Sequence, residues 1–143
     1  LYYQNIMTGI SIAEGQKIID TKMAPWVKDL NIQVLETSVN GAVLKMPYGE
    51  HLARIGGIIS GQSMLAFADS AMVVVISSSI GGFRNMATVD MTTSFMNPAR
   101  NIDIIGRGKI VKAGKQLVFG EFTLENSSNT KPIANIWTTW MLL

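Results

Sequence analysis

Between Ser60 and Gly82 runs one segment, SGQSMLAFADSAMVVVISSSIGG, that is apolar almost all round and interrupted by a single charge, Asp69. Ser60 supplies a helix-capping hydroxyl, and Gly81-Gly82 supplies the stop expected at a helix end. The spacing therefore predicts a helix from about Gly61 to Ile80. A helix without a polar face has to be covered on most sides. The part from Ser63 to Ile80 is slightly short for a membrane span, holds Asp69 and ends in three serines. It reads as the buried helix of a soluble protein rather than as a membrane segment.

The cover has to come from the flanking residues. Gln33–Ser38 and Ala42–Met46 are strand-like and flank Asn40-Gly41, a strong hairpin signal. Arg54–Ile59 reads as a glycine-containing loop. Met86–Phe95 alternates, with Val89, Met91, Thr93 and Phe95 on one face and Thr88, Asp90, Thr92 and Ser94 on the other. Ile102–Lys112 and Gln116–Glu125 flank Ala113-Gly114-Lys115, a second hairpin. After a polar turn, Pro132–Leu142 forms the last strand. Ser11–Met23 is a short amphipathic helix limited by Pro25. One long helix against an antiparallel sheet, an α+β fold, is the economical arrangement. The expected organisation is a single domain over 1–143, with 1–29 as an N-terminal helical segment. Leu1–Gly15 carries no basic region followed by an apolar block, so no secretory signal is expected.

Composition narrows the function. The 143 residues hold 48% hydrophobic and 15% charged side chains, enough for a core. A net charge of +2 lacks the footprint of a nucleic-acid binder. With no cysteine and one histidine, thiolate chemistry, disulfides and a multi-histidine metal site are excluded within one chain. A reducing compartment, the cytoplasm, fits.

Asp69 is the informative residue. Flanked by Phe67, Ala68, Ala71 and Met72, it is expected to lose solvation, which raises a carboxyl pKa toward values useful for a base or nucleophile. A buried Asp bonded to backbone or hydroxyls, without chemistry, explains the same pattern. At the helix start, the first N–H groups lack intrahelical acceptors, and Gly61 lets a carbonyl oxygen approach closely. They form either an oxyanion hole or an ordinary Ser60-capped terminus. Gly61 and Asp69 lie eight residues apart, roughly 12 Å along one helix. Reacting groups meet at about 3–3.5 Å. If both serve one substrate they come from different subunits.

Weaker candidates are Thr88 and Asp90, expected on one strand face, and His51 in the loop before the helix. Arg100, Lys112 and Lys115 at strand ends either hold phosphates or are solvated surface. Trp137 and Trp140 read as core or interface. No phosphate-binding Gly-Lys-Ser/Thr loop or Gly-x-Ser-x-Gly elbow occurs, and Gly106-Arg107-Gly108 is a poor dinucleotide signal because no helix follows.

The run SGQSMLAFADSAM, Ser60–Met72, resembles the central-helix motif of the phenylacetate-pathway (PaaI-type) hotdog thioesterases. There His-Gly-Gly is followed by six residues and an Asp. ATVDMTTSFMNPAR, Ala87–Arg100, resembles that family's strand ending in Phe-x-x-Pro-Ala. The hairpin Lys112–Leu124 and the closing strand match in pattern and order. The resemblance covers about residues 30 to 142. It implies a hotdog fold, a long central helix wrapped by an antiparallel sheet. It also implies acyl-CoA thioester hydrolysis, with Asp69 as the carboxylate that activates water or attacks, and Gly61 as the oxyanion donor from the partner subunit. Thr88 falls at the hydroxyl position beside the carboxylate. Arg54, Ser60, Gln62, Arg100 and Lys115 are expected to touch substrate. The resemblance further implies a homodimer or homotetramer, no metal, and coenzyme A only as part of the substrate.

Three positions depart from the family pattern: Ser60 replaces the usual His, Gln62 the second Gly, and Arg54 an Asn that orients water. These departures keep open a catalytically silent acyl-CoA-binding protein. A hotdog hydratase or dehydratase needs a His paired with a carboxylate, for which only His51 is available.

Overall fold

The computed structural model describes residues 9–143; the reading of a signal-free N-terminus lies mostly outside the described residues. Helix α1 (Ile12–Lys22) starts at a capping box, in which Ser11 and Glu14 each satisfy the other's backbone N–H. Its apolar residues Ile18 and Ile19 turn into the core. A 3-10 helix, Pro25–Leu30, follows where the sequence marked only a limit. Strands β1 (Gln33–Thr37) and β2 (Gly41–Met46) form the expected hairpin.

The segment expected as a loop contains a minimal hairpin, β3 (Ala53–Arg54) and β4 (Ile58–Ile59). Gly56 and Gly57 turn it at φ 88° and 74°, where side chains are strained. Helix α2 runs Gly61–Ile80, ending on Gly81 at φ 84°. Strands β5 (Met86–Phe95), β6 (Ile104–Ala113), β7 (Leu117–Asn126) and β8 (Pro132–Leu142) complete the chain.

Six strands form one antiparallel sheet, ordered β1-β2-β6-β7-β8-β5, curled around α2. This is the hotdog arrangement. Phe67, Ala68, Ala71, Met72, Val74, Val75 and Ile76 are fully buried on the helix. Leu44, Ile104, Phe122 and Ile136 meet them from the sheet. The Phe67 and Phe122 rings pack edge-on, 5.3 Å between centroids. Truncating such a ring costs about 3–5 kcal/mol. α2 is the one helix among the described residues long and apolar enough to cross a membrane; its apolar surface is spent on this core.

Three sheet glycines let the helix seat closely. A Cβ on Gly106 would stand 2.2 Å from the Phe122 ring, on Gly108 2.4 Å from Val75 Cγ2, and on Gly120 2.5 Å from Met72 Cε. Gly106 and Gly108, a poor dinucleotide signal in the sequence, are packing positions. Asp103 ties β2 to the start of β6. The Tyr48 N–H donates to it at 2.7 Å, and this bond, with Lys45 Nζ at 3.2 Å, holds its carboxyl below the ordinary range against the opposing effect of burial.

Two expectations need correction. β5 does not alternate strictly: its register against β8 shifts between Thr88 and Asp90, a β-bulge. Thr88 therefore faces α2, while Asp90 turns away and accepts a hydrogen bond from Thr92 Oγ1 at 3.1 Å. The second concerns Asp69: α2 is covered on most sides, as expected, but one strip is not. Gln62, Leu65, Ala66 and Asp69, at helical spacing, form an uncovered strip, with Gln62 and Asp69 exposed.

Candidate active site

The start of α2 is organised by two serines. Ser60 Oγ accepts the Ser63 N–H at 3.3 Å and lies 2.7 Å from Ser63 Oγ. Ser63 Oγ donates to the Leu52 carbonyl at 3.3 Å, and the Ser60 N–H donates to the same carbonyl at 2.9 Å. The Met64 N–H goes to the Ser60 carbonyl. The N–H groups of Gly61 and Gln62 find no acceptor among the described residues. The serine cap thus satisfies the third and fourth helical donors and leaves the first two at the positive end of the helix dipole. Two unspent donors at a helix terminus can receive a developing oxyanion.

Beside this terminus lies a cleft of about 350 Å³, lined mainly by Ile58, Ile59, Met64, Phe95, Met96 and Pro98. Gly61 forms part of its wall, with Arg54 and Asn97 as its polar members. The β3–β4 hairpin is pinned there: the Ile59 N–H donates to the Ala99 carbonyl at 2.9 Å, and Arg100 Nη1 donates to the Gly56 carbonyl at 2.6 Å.

Asp69 sits two turns further along the open strip. Thr88 Oγ1 donates to its Oδ1 at 2.6 Å. Its Oδ2 has no partner among the described residues. The expected desolvation is not provided by this chain: Asp69 is exposed, because the sheet wraps the other faces of the helix. A carboxylate held by one oxygen and free at the other can accept a proton or attack an electrophile.

The predicted residues therefore form two groups. Ser60, Gly61, Gln62, Arg54 and Arg100 gather at the start of α2, whereas Asp69 and Thr88 pair mid-helix. Lys115, in the β6–β7 turn, lies at the opposite end of β5 from Gly61. Gln116 beside it accepts the Leu142 N–H, and Leu142 pairs with Met86. His51 is spent elsewhere: its Nε2 meets the Asp29 backbone carbonyl at 2.5 Å, not a carboxylate. Trp140 is buried, and Trp137 stands on the outer sheet face against Phe119. Among the described residues, no group of acidic and histidine side chains gathers as a metal site.

One feature escaped the sequence reading. Ser63 looks like any small helix residue, and its part in the cap shows only once the Leu52 carbonyl is placed. The Thr88–Asp69 pairing was implied by the family resemblance, but the alternation of β5 conceals the bulge that makes it.

Comparison with known proteins adds an independent line. A family model described as the thioesterase superfamily matches residues 56–133. A protein of Thermoplasma acidophilum, named provisionally as an esterase, is 26% identical over 97 residues, 68% of this chain and 73% of that one. The crystal structure of zebrafish thioesterase superfamily member 2 superposes with a TM-score of 0.83 at 25% identity, covering 94% of this chain and 99% of that one. The Escherichia coli PaaI protein, from the phenylacetic acid degradation operon, superposes at a TM-score of 0.78 and 15% identity, covering 92% and 95%; at that identity the likeness concerns the fold alone.

Proposed function

The chain belongs to the thioesterase superfamily, and on that premise we propose that this thioester hydrolase acts on acyl-CoA as a homodimer or a dimer of dimers. Each site combines Asp69 of one protomer with the Gly61 terminus of the other. One observation carries the reading. The single open strip of α2 presents a carboxylate steadied by Thr88 at one point and unspent N–H donors at another. About 12 Å of helix separates the two points, too far to serve one carbonyl within a chain.

The sheet edge supports the pairing. β5 is a terminal strand of the sheet, with Val89, Phe95 and Met96 exposed along it or just beyond. A free apolar edge invites a second strand. Antiparallel pairing of β5 with its own copy brings the Thr88 end of one strand beside the Phe95 end of the other. Asp69 then approaches the partner's Gly61 and loses solvent, which the protomer alone does not provide. The same pairing carries Lys115 toward the other protomer's Arg100, giving cations for the phosphates of coenzyme A.

In this scheme the thioester carbonyl oxygen lies on the Gly61 and Gln62 N–H groups. Asp69 removes a proton from water as the water oxygen bonds to the carbonyl carbon, and the N–H groups stabilise the resulting oxyanion. As the oxyanion collapses the carbon–sulfur bond breaks, and the departing thiolate takes the proton held by Asp69, which regenerates the carboxylate. Direct attack by Asp69 is the variant of this scheme. There an Asp69 oxygen bonds to the carbonyl carbon, the thiolate departs, and water then cleaves the mixed anhydride; a burst of thiol ahead of free acid, with acyl-enzyme captured by rapid quench, distinguishes it from proton abstraction. No cofactor takes part, and coenzyme A enters only with the substrate. The cysteine-free chain suits the cytoplasm.

Two of the three departures from the family pattern, Ser60 and Gln62, keep the groups this scheme uses. Ser60 still caps the helix, and the Gln62 backbone keeps its N–H. The test is thiol release from a panel of acyl-CoAs, beside Asp69→Asn. The variant is expected to lose on the order of 100- to 10,000-fold. Equal rates would remove Asp69 from the mechanism. Tight acyl-CoA binding without turnover by the parent would replace the hydrolase with a silent binder.

A further inference from the structure

The cleft at the start of α2 also bears on which acyl group is cleaved. The Phe95 ring stands directly over Gly61: a Cβ built on that glycine would lie 3.3 Å from Phe95 Cζ. Phe95 thus occupies the junction between the unspent N–H donors and the apolar cleft. Phe95 is 51% exposed in the protomer, so the core does not fix its ring, and the proposed β5 pairing would set the partner strand beside it. Beneath it the buried Met64 side chain forms the cleft floor, with Ile58, Ile59 and Pro98 as walls. Phe67 and Met91 do not line this cleft; Phe67 is fully buried against Phe122, and Met91 packs against the core.

Resting on the thioesterase reading above, we propose that this cleft receives the acyl group and that Phe95 sets its length. With the carbonyl oxygen on the Gly61 N–H, the acyl carbons enter beside the Phe95 ring. Among the described residues the walls are mainly apolar, with Arg54 as the one charged member. These walls fit an apolar acyl group. At about 350 Å³ the cleft falls at the small end of the range for small-molecule sites, about 300–1,000 Å³. It suits a single aromatic ring or a short-to-medium aliphatic chain, and the Phe95 ring blocks a long one.

The test compares parent, Phe95→Ala and Phe95→Trp on straight-chain acyl-CoAs from butyryl to palmitoyl. Phe95→Ala is expected to move the kcat/KM optimum to longer chains, changing the long-to-short ratio by at least about tenfold, the effect of one pocket methylene. Phe95→Trp should move it to shorter chains. Affinities for non-hydrolysable thioether analogues of the same lengths are measured in parallel. If the parent hydrolyses none of the esters, the thioesterase reading fails, and opposite shifts in the affinity profile still test the cleft. A length profile unchanged in shape in both variants, by rate and by affinity, overturns the assignment. Thermal unfolding of each variant separates a folding defect from either result.

Discussion

The oxyanion donor proposed at Gly61 can be removed although it is a backbone group. Ser60, at φ −67° and ψ 148°, already has the extended conformation that a following proline requires. The first helical position also tolerates proline without loss of a helical bond. Gly61→Pro therefore deletes one N–H while keeping the helix, and is expected to lower kcat by roughly 100- to 1,000-fold. Gly61→Ala adds bulk beside Phe95 but keeps the N–H, and should lose far less. Equal losses would mean that bulk, not the donor, matters. Thr88→Val tests the other end of the strip. Removing the hydroxyl frees the Asp69 carboxylate to rotate, with a loss of up to about 100-fold in kcat and little change in KM. Thr88→Ser should restore the rate; failure of that rescue would reduce Thr88 to a packing residue.

At the scale of elements, most of the architecture could be read from residue pattern. Ser60 and Gly81 bound α2 as capping chemistry predicts, and the first hairpin forms beside Asn40-Gly41, although its turn is Val39-Asn40, closed by the Ser38–Gly41 backbone pair. What could not be read depends on tertiary spacing. The bulge at Val89 leaves no mark on the alternation of Met86–Phe95, so the side chains before it were assigned to the wrong face. The exposure of Asp69 was hidden because its apolar neighbours in sequence turn to other faces of the helix. The glycines of β6 look like turn or nucleotide residues until α2 is laid across them. Gly106→Ala should therefore destabilise by about 1–3 kcal/mol through overpacking, read as a lower denaturant midpoint. Gly114→Ala, which meets only the Leu117 carbonyl at 3.4 Å, serves as the mild comparison. An unchanged midpoint in Gly106→Ala would mean that the Phe122 ring, with Phe67 of α2 behind it, does not close over Gly106 as described.

At the scale of the whole molecule, the protomer looks like half of a site. Its carboxylate and its helix-terminal donors share one open strip yet cannot share one substrate, and β5 leaves its edge apolar and free. The proposed two-fold assembly would resolve both, because the same patch then supplies what the other copy lacks. The most direct test mixes two disabled variants, Asp69→Asn and Gly61→Pro, after dissociation and reassembly. In a mixed dimer, one site combines both defects and the other is intact. Random pairing should therefore restore about one quarter of the parent's thiol-release activity, from two preparations that are nearly inactive alone. If Asp69 and Gly61 of the same chain formed each site, every site would carry a defect. No recovery in verified mixed dimers would then contradict the shared active site.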